Sequence, residues 1–444
     1  MAEKSKLKKK KPVSILLSLL SLVLLSGCSG LKTPEELIGP PEVSLERKII
    51  EDTIRKFLPA NAEIITPQDN GESNSAAAKG TRIIGEDSEE VITLYRDKVS
   101  RKVGILSIKR NGNLWSKLLD MPIDAFEVAD YNIVDLDGDG KNEILIGYFS
   151  INSPFKSMMV LGYRGGIMSK VYETEYLGFN IGESQDGGRS IAFSTVGSEG
   201  RNNKFIIMDY ENGSIKKSDE FVYPENIDIY KITYGSINDE EKGFYLDMYV
   251  DESTGKSDIL GRNEEGLYSI IKKTKMPEIV QDIPMASTDI NNDGNIELVQ
   301  NRLLKQENES AAVILNEYIS INNKEEFVYL VNILEDHYNN IKIILPPLKD
   351  WGIEDSVQVK SEKDMLSIKY YSQEQKSYHK FLEIKIIPLA EKFDNSYSLI
   401  MERGNTLIIG KKIQMTDMSY LERVKLDDFF GSIGVLAEIV KVIE

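Results

Sequence analysis

A short acidic motif occurs twice in the chain and constrains its fold more than any other feature. The first copy, residues 135–143, reads Asp-Leu-Asp-Gly-Asp-Gly-Lys-Asn-Glu and precedes the apolar run Ile144–Tyr148. The second copy, residues 289–297, reads Asp-Ile-Asn-Asn-Asp-Gly-Asn-Ile-Glu and precedes Leu298-Val299. Alternate carboxylates, a glycine that permits a sharp reversal and a final carboxylate suit a loop that surrounds a hard cation such as Ca²⁺. The motif therefore predicts two copies of one repeat, each leading into a core strand.

A period of about 50 residues runs through the middle of the chain. Turn glycines stand at positions 112, 165, 213 and 266, at intervals of 53, 48 and 53 residues. The acidic loops begin 154 residues apart, about three such intervals, and degenerate loops are found at 85–90, 182–188 and 238–243. Each unit is predicted to run loop, strand, strand, turn, strand, strand, which is typical of a β-propeller blade. An array of sheets that does not close into a ring is the alternative.

The loops and their period resemble the FG-GAP (VCBS-like) repeats of integrin alpha-chain propellers and of many bacterial surface proteins. The resemblance covers residues 60–335 and rests on the loops, because the Phe-Gly and Gly-Ala-Pro elements of that family are not recognisable. It implies a structural Ca²⁺ in each intact loop. In the first loop it implies as ligands the side chains of Asp135, Asp137, Asp139 and Glu143 and the backbone carbonyl of Lys141. In the second it implies the side chains of Asp289, Asn291, Asp293 and Glu297 and the carbonyl of Asn295.

The two loops are not expected to bind equally. Asn291 offers a neutral amide oxygen where the first loop has a carboxylate, so the second site is predicted to be the weaker one. A metal-free turn rich in Asp, Asn and Gly is the alternative for both loops. Four like charges within one turn repel strongly, however, which favours a bound cation in the first loop.

Charge and cysteine content exclude several classes of function. The formal net charge is −17, and residues 1–27 contribute +5, so the remainder carries −22 and is a poor partner for nucleic acid. The single cysteine, Cys28, rules out a disulfide within the chain and a thiolate zinc site. With only His337 and His379 present, a histidine metal cluster is excluded and a Ser/His/Asp triad is disfavoured.

The N-terminus has the pattern of an export signal that ends at a lipid-attachment site. Six lysines precede the apolar run Val13–Leu25, which is too short to span a bilayer comfortably. The following Leu25-Ser26-Gly27-Cys28 resembles the bacterial lipobox. The resemblance implies a signal peptide over residues 1–27, lipidation of Cys28 and a stable anchor on the extracytoplasmic face of the cell membrane. An uncleaved anchor helix is the alternative.

The rest of the chain is expected to form a tether and two folded regions. Residues 28–43, rich in Pro and Gly, are predicted to be the tether, and residues 44–338 a helix at 44–58 followed by the repeats. Residues 339–444 are predicted to form a small α+β domain whose strands are followed by helices at 419–430 and 433–442. This part resembles the C-terminal domains that stand beside such repeats in clostridial-type lipoproteins. Its aromatic residues suit either a sugar- or peptide-binding face or ordinary strand packing; they are Trp351, Tyr370, Tyr371, Tyr378 and Tyr397.

No catalytic motif is found in the sequence. A nucleotide-phosphate loop, a nucleophile elbow and a His-Glu-x-x-His motif are all missing. The predicted protein is therefore mainly β, with about five blades and a small α+β domain. Its predicted role is that of a lipid-anchored scaffold or binding protein, not an enzyme, whose protein or glycan partner the sequence does not identify. A polysaccharide-binding accessory module and a cell-envelope hydrolase are the alternatives.

Overall fold

The computed structural model describes most of the repeat region and most of the C-terminal region. The described residues are 45–66, 78–81, 83–85, 89–184, 187–195, 204–211, 213–224, 227–304, 306, 312–349, 356–413 and 435–443. The predicted signal peptide, the lipidation of Cys28 and the tether lie outside these ranges, as do Trp351 and the predicted helix 419–430.

Contacts divide the chain into two compact units, Met1–Phe57 and Leu58–Glu444. The described part of the first unit is helix α1 (Leu45–Phe57), which confirms the helix predicted over 44–58. Within the described ranges, no helix combines the length and the hydropathy needed to cross a bilayer.

The second unit is mainly β, as the sequence predicts, and its first four repeats are antiparallel sheets. The strands of the first are β1 (Ala62–Ile65), β2 (Ala78–Thr81), β3 (Glu90–Asp97), β4 (Val103–Asn111) and β5 (Leu114–Ile123). Those of the second are β6 (Ala125–Val134), β7 (Glu143–Ser150), β8 (Lys156–Arg164) and β9 (Ile167–Tyr176). Those of the third are β10 (Phe179–Glu183), β11 (Arg189–Thr195), β12 (Lys204–Glu211) and β13 (Ser214–Val222). Those of the fourth are β14 (Asp228–Ser236), β15 (Lys242–Tyr249), β16 (Gly255–Asn263) and β17 (Gly266–Ser269).

Helix α2 (Ile270–Thr274) leads from the fourth repeat to the remaining strands. The fifth repeat continues the sheet of the fourth with β18 (Ile279–Gln281), β19 (Leu298–Leu304), β20 (Val313–Ile321), β21 (Phe327–Asp336) and β22 (Ile341–Leu345). A separate sheet contains β23 (Val357–Glu362), β24 (Met365–Ser372), β25 (Ser377–Pro388), β26 (Ser398–Arg403) and β27 (Thr406–Lys412). The chain ends in helix α3 (Leu436–Ile439) and strand β28 (Val440–Val442), which pairs with β22.

The strands of the first four repeats stand side by side in chain order. Strand β5 contacts β9, β9 contacts β13, and β13 contacts β17, so the last strands of successive sheets are neighbours. The predicted turn glycines lie just before these last strands or, for Gly266, at the first residue, and all have positive φ; they are Gly112, Gly165, Gly213 and Gly266. Because a left-handed backbone costs glycine little, the glycine period marks the sheets correctly.

The sequence pattern placed each loop at the start of a unit and the strand before it at the end of the preceding unit. This grouping is wrong by one strand. In the first four repeats the strand before the loop pairs with the strand after it, as Val134 does with Glu143, so the loop lies inside a sheet and not at its start. At the second acidic loop a single antiparallel bridge, between Thr288 and Glu297, flanks the loop. The reason is that the loop reverses the chain and places its flanking strands side by side. Strands β6, β10 and β14 therefore open their own sheets and do not close the preceding ones.

The fourth and fifth repeats share one sheet where separate blades were expected. Strand β17 pairs only with Leu260–Asn263 of β16, which leaves the first part of β16 open. Strand β18 pairs there, with Gly255–Ser257, and reaches β19 through a parallel bridge between Gln281 and Asn301. A four-residue β17 thus lets hydrogen bonding continue from one repeat into the next.

The predicted domain boundary at 338/339 lies in the turn between two paired strands, β21 and β22. Asn339 at this turn is buried and donates hydrogen bonds to Asp336 (2.7 Å) and to Ser361 (3.2 Å). One apolar core includes buried side chains from before and after the turn, among them Leu315 and Phe381. A separate 339–444 domain therefore stays a prediction.

The predicted helix 433–442 is wrong beyond Ile439. Only the single turn of α3 is helical in its described part, and Val440 is extended with φ −96° and ψ 123°. The reason is tertiary, because Val440 pairs with Ile343 on the open edge of β22.

Candidate cation-binding loops

A buried glutamate closes each of the two acidic loops. Glu143 is 4% exposed, and its Oε2 accepts a hydrogen bond from the backbone N–H of Leu136 at 3.1 Å. Glu297 is fully buried, and its Oε2 accepts from the N–H of Ile290 at 2.9 Å. Acceptor and donor are seven residues apart in both loops, so each glutamate ties the start of its loop to the start of the next strand.

The same arrangement occurs in the first, degenerate repeat, where the sequence pattern assigned no role to Glu90. This residue is also fully buried, and its Oε2 accepts from the N–H of Ile83 at 2.8 Å, again over seven residues. The signal in the sequence was a glutamate placed directly before the apolar run of β3. Because the loop before Glu90 lacks the alternating aspartates of the two acidic loops, this hydrogen bond supports the loop backbone independently of a cation-binding motif.

The aspartates of the first loop hold its turn through backbone amides. Asp135 accepts from Gly138 and Gly140, both at 2.8 Å, and these glycines have φ values of 74° and 81°. Asp139 accepts from the N–H of Lys141 at 2.9 Å and forms an ion pair with the same residue's ammonium. The loop therefore contains its own counter-ion, Lys141, for one of its four carboxylates.

Three of the four predicted carboxylate ligands of the first loop converge. One oxygen each from Asp135, Asp137 and Glu143 lies within 4.8 Å of the others, which is the one such grouping of three acidic, histidine or cysteine side chains found among the described residues. Asp139 is directed to Lys141 instead. An all-oxygen donor set of this kind suits Ca²⁺. Ligation itself remains a prediction, and so does the contribution of the Lys141 carbonyl.

The electrostatics of the first loop indicate a deficit of positive charge. Burial, reinforced by the charge of the neighbouring aspartates, raises the pKa of Glu143 to about 7. Burial and then the charge of Asp139 also raise the pKa of Asp137. The pKa of Asp139 is lowered, because its hydrogen bonds and ion pair with Lys141 outweigh the effect of burial. A cation placed among these oxygens would favour their ionised forms.

The second loop has the same turn built from different groups. Asp289 accepts from the N–H groups of Asp293 (3.1 Å) and Gly294 (2.9 Å), and Asp293 accepts from that of Asn295 at 2.8 Å. The amide of Asn291 donates to Asp293 at 2.8 Å. This loop has no lysine, so an internal ammonium does not compensate its carboxylates.

In the second loop, the carboxylate of Glu297 has one buried oxygen that is not satisfied by a hydrogen bond. Its Oε1 is buried without any hydrogen-bond partner, although its Oε2 is bonded to Ile290. Burial, followed by the charges of Asp293 and Asp289, raises the pKa of Glu297 to about 7. An unpartnered buried carboxylate oxygen is costly, but among the described residues only the first loop has three converging carboxylates, so Ca²⁺ binding at the second loop stays a prediction.

The other residues singled out from the sequence do not assemble into a further site within the described ranges. Tyr370 is buried, and Tyr371 packs against Tyr378 with ring centroids 4.9 Å apart. Tyr397 lies under the ammonium groups of Lys385 (4.9 Å) and Lys411 (4.3 Å).

Comparisons with known proteins show weak likeness in fold. No family model and no curated protein sequence matches the chain. Among solved structures, a protein from Lactobacillus plantarum matches at 9% identity and TM-score 0.28, over 69% of this chain and 94% of its own. An exotype rhamnogalacturonan lyase, YesX, matches at 10% identity and TM-score 0.29, over 79% of this chain and 76% of its own. An exo-beta-1,3-galactanase from Phanerochaete chrysosporium matches at 9% identity and TM-score 0.27, over 79% and 90%. At these scores the likeness supports no argument about function.

Proposed function

We propose that the protein is a lipid-anchored extracytoplasmic scaffold or binding protein whose repeats form a β-propeller-like array stabilised by Ca²⁺. The observation that carries this proposal is the convergence of Asp135, Asp137 and Glu143 within 4.8 Å at the start of the core strand β7. Ions at the two acidic loops would fix the approach of β7 and β19 to their sheets. The role is structural, and we assign no catalytic reaction to the chain.

Calorimetric titration tests whether the two loops bind Ca²⁺. Chelator-treated protein lacking residues 1–27 is titrated with Ca²⁺, and Asp137→Ala and Asp289→Ala variants are titrated in parallel. We expect two sites with Kd values of about 10⁻⁴ to 10⁻³ M, as is common for extracellular modules, and the loss of one site in each variant. If titration of the wild-type protein shows no heat of Ca²⁺ binding of either sign, the proposal is contradicted.

The proposed anchor depends on the lysine-rich start, the apolar run and Leu25-Ser26-Gly27-Cys28. Cells that express the wild-type chain or Cys28→Ser are grown with an alkyne-tagged fatty acid and fractionated. We expect label and membrane attachment only in the wild-type protein, because the thiol accepts the lipid. Equal labelling of the wild-type chain and Cys28→Ser would show that Cys28 is not the attachment site.

A further inference from the structure

Consecutive repeats are joined by a hydrogen bond or an ion pair at the end of the sheets where the loops lie. Each donor stands where the chain enters the strand after a loop. Each acceptor stands at, or just after, the end of the strand before a loop in the preceding repeat. In chain order these bonds run from Asn142 to Thr81 (3.2 Å), from Arg189 to Leu136 (2.8 Å), from Lys242 to Glu183 (2.7 Å) and from Ile296 to Ser236 (3.2 Å). Equivalent positions therefore make contact at all four junctions, although the bonded groups differ.

The junction between the second and third repeats is closely packed around Leu136. This side chain is 1% exposed and belongs to a core that also contains Ile191 and Phe193 of the third repeat. The Leu136 carbonyl accepts from the backbone N–H of Arg189, and a Cβ added to the neighbouring Gly188 would lie 2.8 Å from that carbonyl oxygen. Any side chain at position 188 would therefore push the third repeat away from the second.

Leu136 is at the same time part of the first acidic loop. It stands between Asp135 and Asp137, two of the three converging carboxylates, and its N–H donates to the third, Glu143, at 3.1 Å. The N–H and C=O groups of Leu136 flank a single Cα atom. Fixing the three carboxylates therefore also fixes the direction in which the Leu136 carbonyl points, which is toward the third repeat.

The second acidic loop is built into the molecule differently. The residue equivalent to Leu136 is Ile290, which is partly buried and packs with Val299, Tyr318 and Ile333 of its own repeat. A cleft of about 380 Å³ lies between Asp293 of this loop and the degenerate loop of the fourth repeat. The central apolar residue of the second loop thus contributes to the core of its own repeat, whereas that of the first loop contributes to a core between two repeats.

We propose that Ca²⁺ in the first loop regulates the contact between the second and third repeats. With the ion bound, the three carboxylates hold Leu136 where its carbonyl accepts from Arg189. Without the ion, repulsion between the carboxylates favours local opening of the loop, and the bond to the third repeat opens with it. This inference rests on the proposed binding of Ca²⁺ at the first loop and adds what the ion regulates.

Hydrogen exchange at the amide of Arg189, with and without Ca²⁺, tests the inference. A ligand that binds only the closed loop lowers the population of the open form by the factor 1 + [L]/Kd. At ten times the Kd, exchange should therefore be about tenfold slower than in chelator. The amide of Gln375, which donates to Ser372 at 3.0 Å in a hairpin of the C-terminal sheet, should exchange equally in both conditions. Asp137→Ala should abolish the slowing at Arg189, and Asn291→Ala, at the equivalent position of the second loop, should preserve it.

The coupling should also be measurable in the opposite direction. If the ion favours the contact between the repeats, weakening the contact must weaken binding of the ion by the same factor. Gly188→Ala, which alters no cation ligand, should raise the Kd for Ca²⁺ at the first loop about fivefold or more in a calorimetric titration. Gly85→Ala is the control, because nothing lies within 4 Å of the position its Cβ would take.

The possible failures are distinguishable. If Ca²⁺ binds but exchange at Arg189 is the same in Ca²⁺ and in chelator, or is slowed equally in Asp137→Ala, the inference is overturned and the proposed scaffold stands. A folded Gly188→Ala variant with the wild-type Kd overturns it as well. If Gly188→Ala does not fold, the exchange measurement on Asp137→Ala decides the question by itself. If calorimetry shows no binding of Ca²⁺, the proposed function and this inference fail together.

Discussion

The two acidic loops share a backbone and differ in how their charge is balanced. Each is closed by a buried glutamate that accepts from an N–H seven residues earlier. The first loop has four carboxylates and one ammonium, the second three carboxylates and no ammonium, so both have a formal charge of −3. Counting carboxylates alone made the first loop the stronger site. Counting Lys141 as well makes the formal charges equal and leaves convergence of the ligands as the remaining advantage of the first loop.

The largest expected effect is on the feature that the loops share. Glu143→Ala and Glu297→Ala should each lower the free energy of unfolding in chelator by up to about 3 kcal/mol, because the N–H of Leu136 or of Ile290 loses its acceptor. Urea unfolding monitored by circular dichroism measures this loss, with Glu240→Ala in an exposed loop as the control. If either variant is as stable as the control without Ca²⁺, its glutamate serves the cation alone.

A buried glutamate outside the loops sharpens the comparison. Glu383 is 6% exposed like the loop glutamates, but Lys380, Tyr397 and Lys385 outweigh the effect of burial and lower its pKa to about 2. Its unfolded-state pKa is about 4.3, so its stabilisation is present above that value and is lost as the pH falls toward 2. Near pH 6, Glu383→Gln should be about 2 kcal/mol less stable than wild type.

That difference should narrow in unfolding measurements as the pH falls from 4.5 to 2.5. The same substitution at an exposed position, Glu391→Gln, controls for general acid effects. A gap that is constant over this pH range would mean that the charge of Glu383 contributes nothing and that only the packing of its side chain matters.

The effect of Ca²⁺ should separate the two loops. A ligand that binds only the folded state, at a concentration ten times its Kd, adds about 1.4 kcal/mol per site to the free energy of unfolding. Asp137→Ala, which removes one of the three converging ligands, should lower the melting temperature in Ca²⁺ more than Asn291→Ala. Melting curves in chelator should bring the two variants together. Identical wild-type curves in Ca²⁺ and in chelator would leave both loops as plain acidic turns.

The smallest expected effect on Ca²⁺ binding comes from exchanging Lys141 of the first loop and Asn295, its equivalent in the second. Lys141→Asn should tighten Ca²⁺ binding at the first loop, and Asn295→Lys should weaken it at the second. The expected change is at most a few-fold in Kd, since the Lys141–Asp139 pair is exposed to solvent, which screens its charge. Calorimetric titration of both variants would contradict the role of the lysine if the two changes had the same sign.

The period of the repeats could be read from the sequence because it depends on local chemistry. A hairpin that needs positive φ favours glycine, and a loop that wraps its own backbone amides favours aspartate and asparagine. The strand predicted after each loop is present in the structure, at β3, β7, β11, β15 and β19. The pairing of strands was assigned incorrectly because the alternation of side chains is the same whichever neighbour a strand has.

The features that only the tertiary structure decided depend on long-range contacts. The merging of the fourth and fifth repeats depends on a short β17 that leaves part of β16 open, and the final strand β28 forms because β22 offers it an edge. The cleft beside Asp293 likewise brings together segments that are distant in the chain. The sequence by itself determined the repeats, their loops and the candidate cation ligands, since these are set within a few residues. Sheet boundaries, buried partners and cavities are set by the packing of distant segments, which no local pattern records.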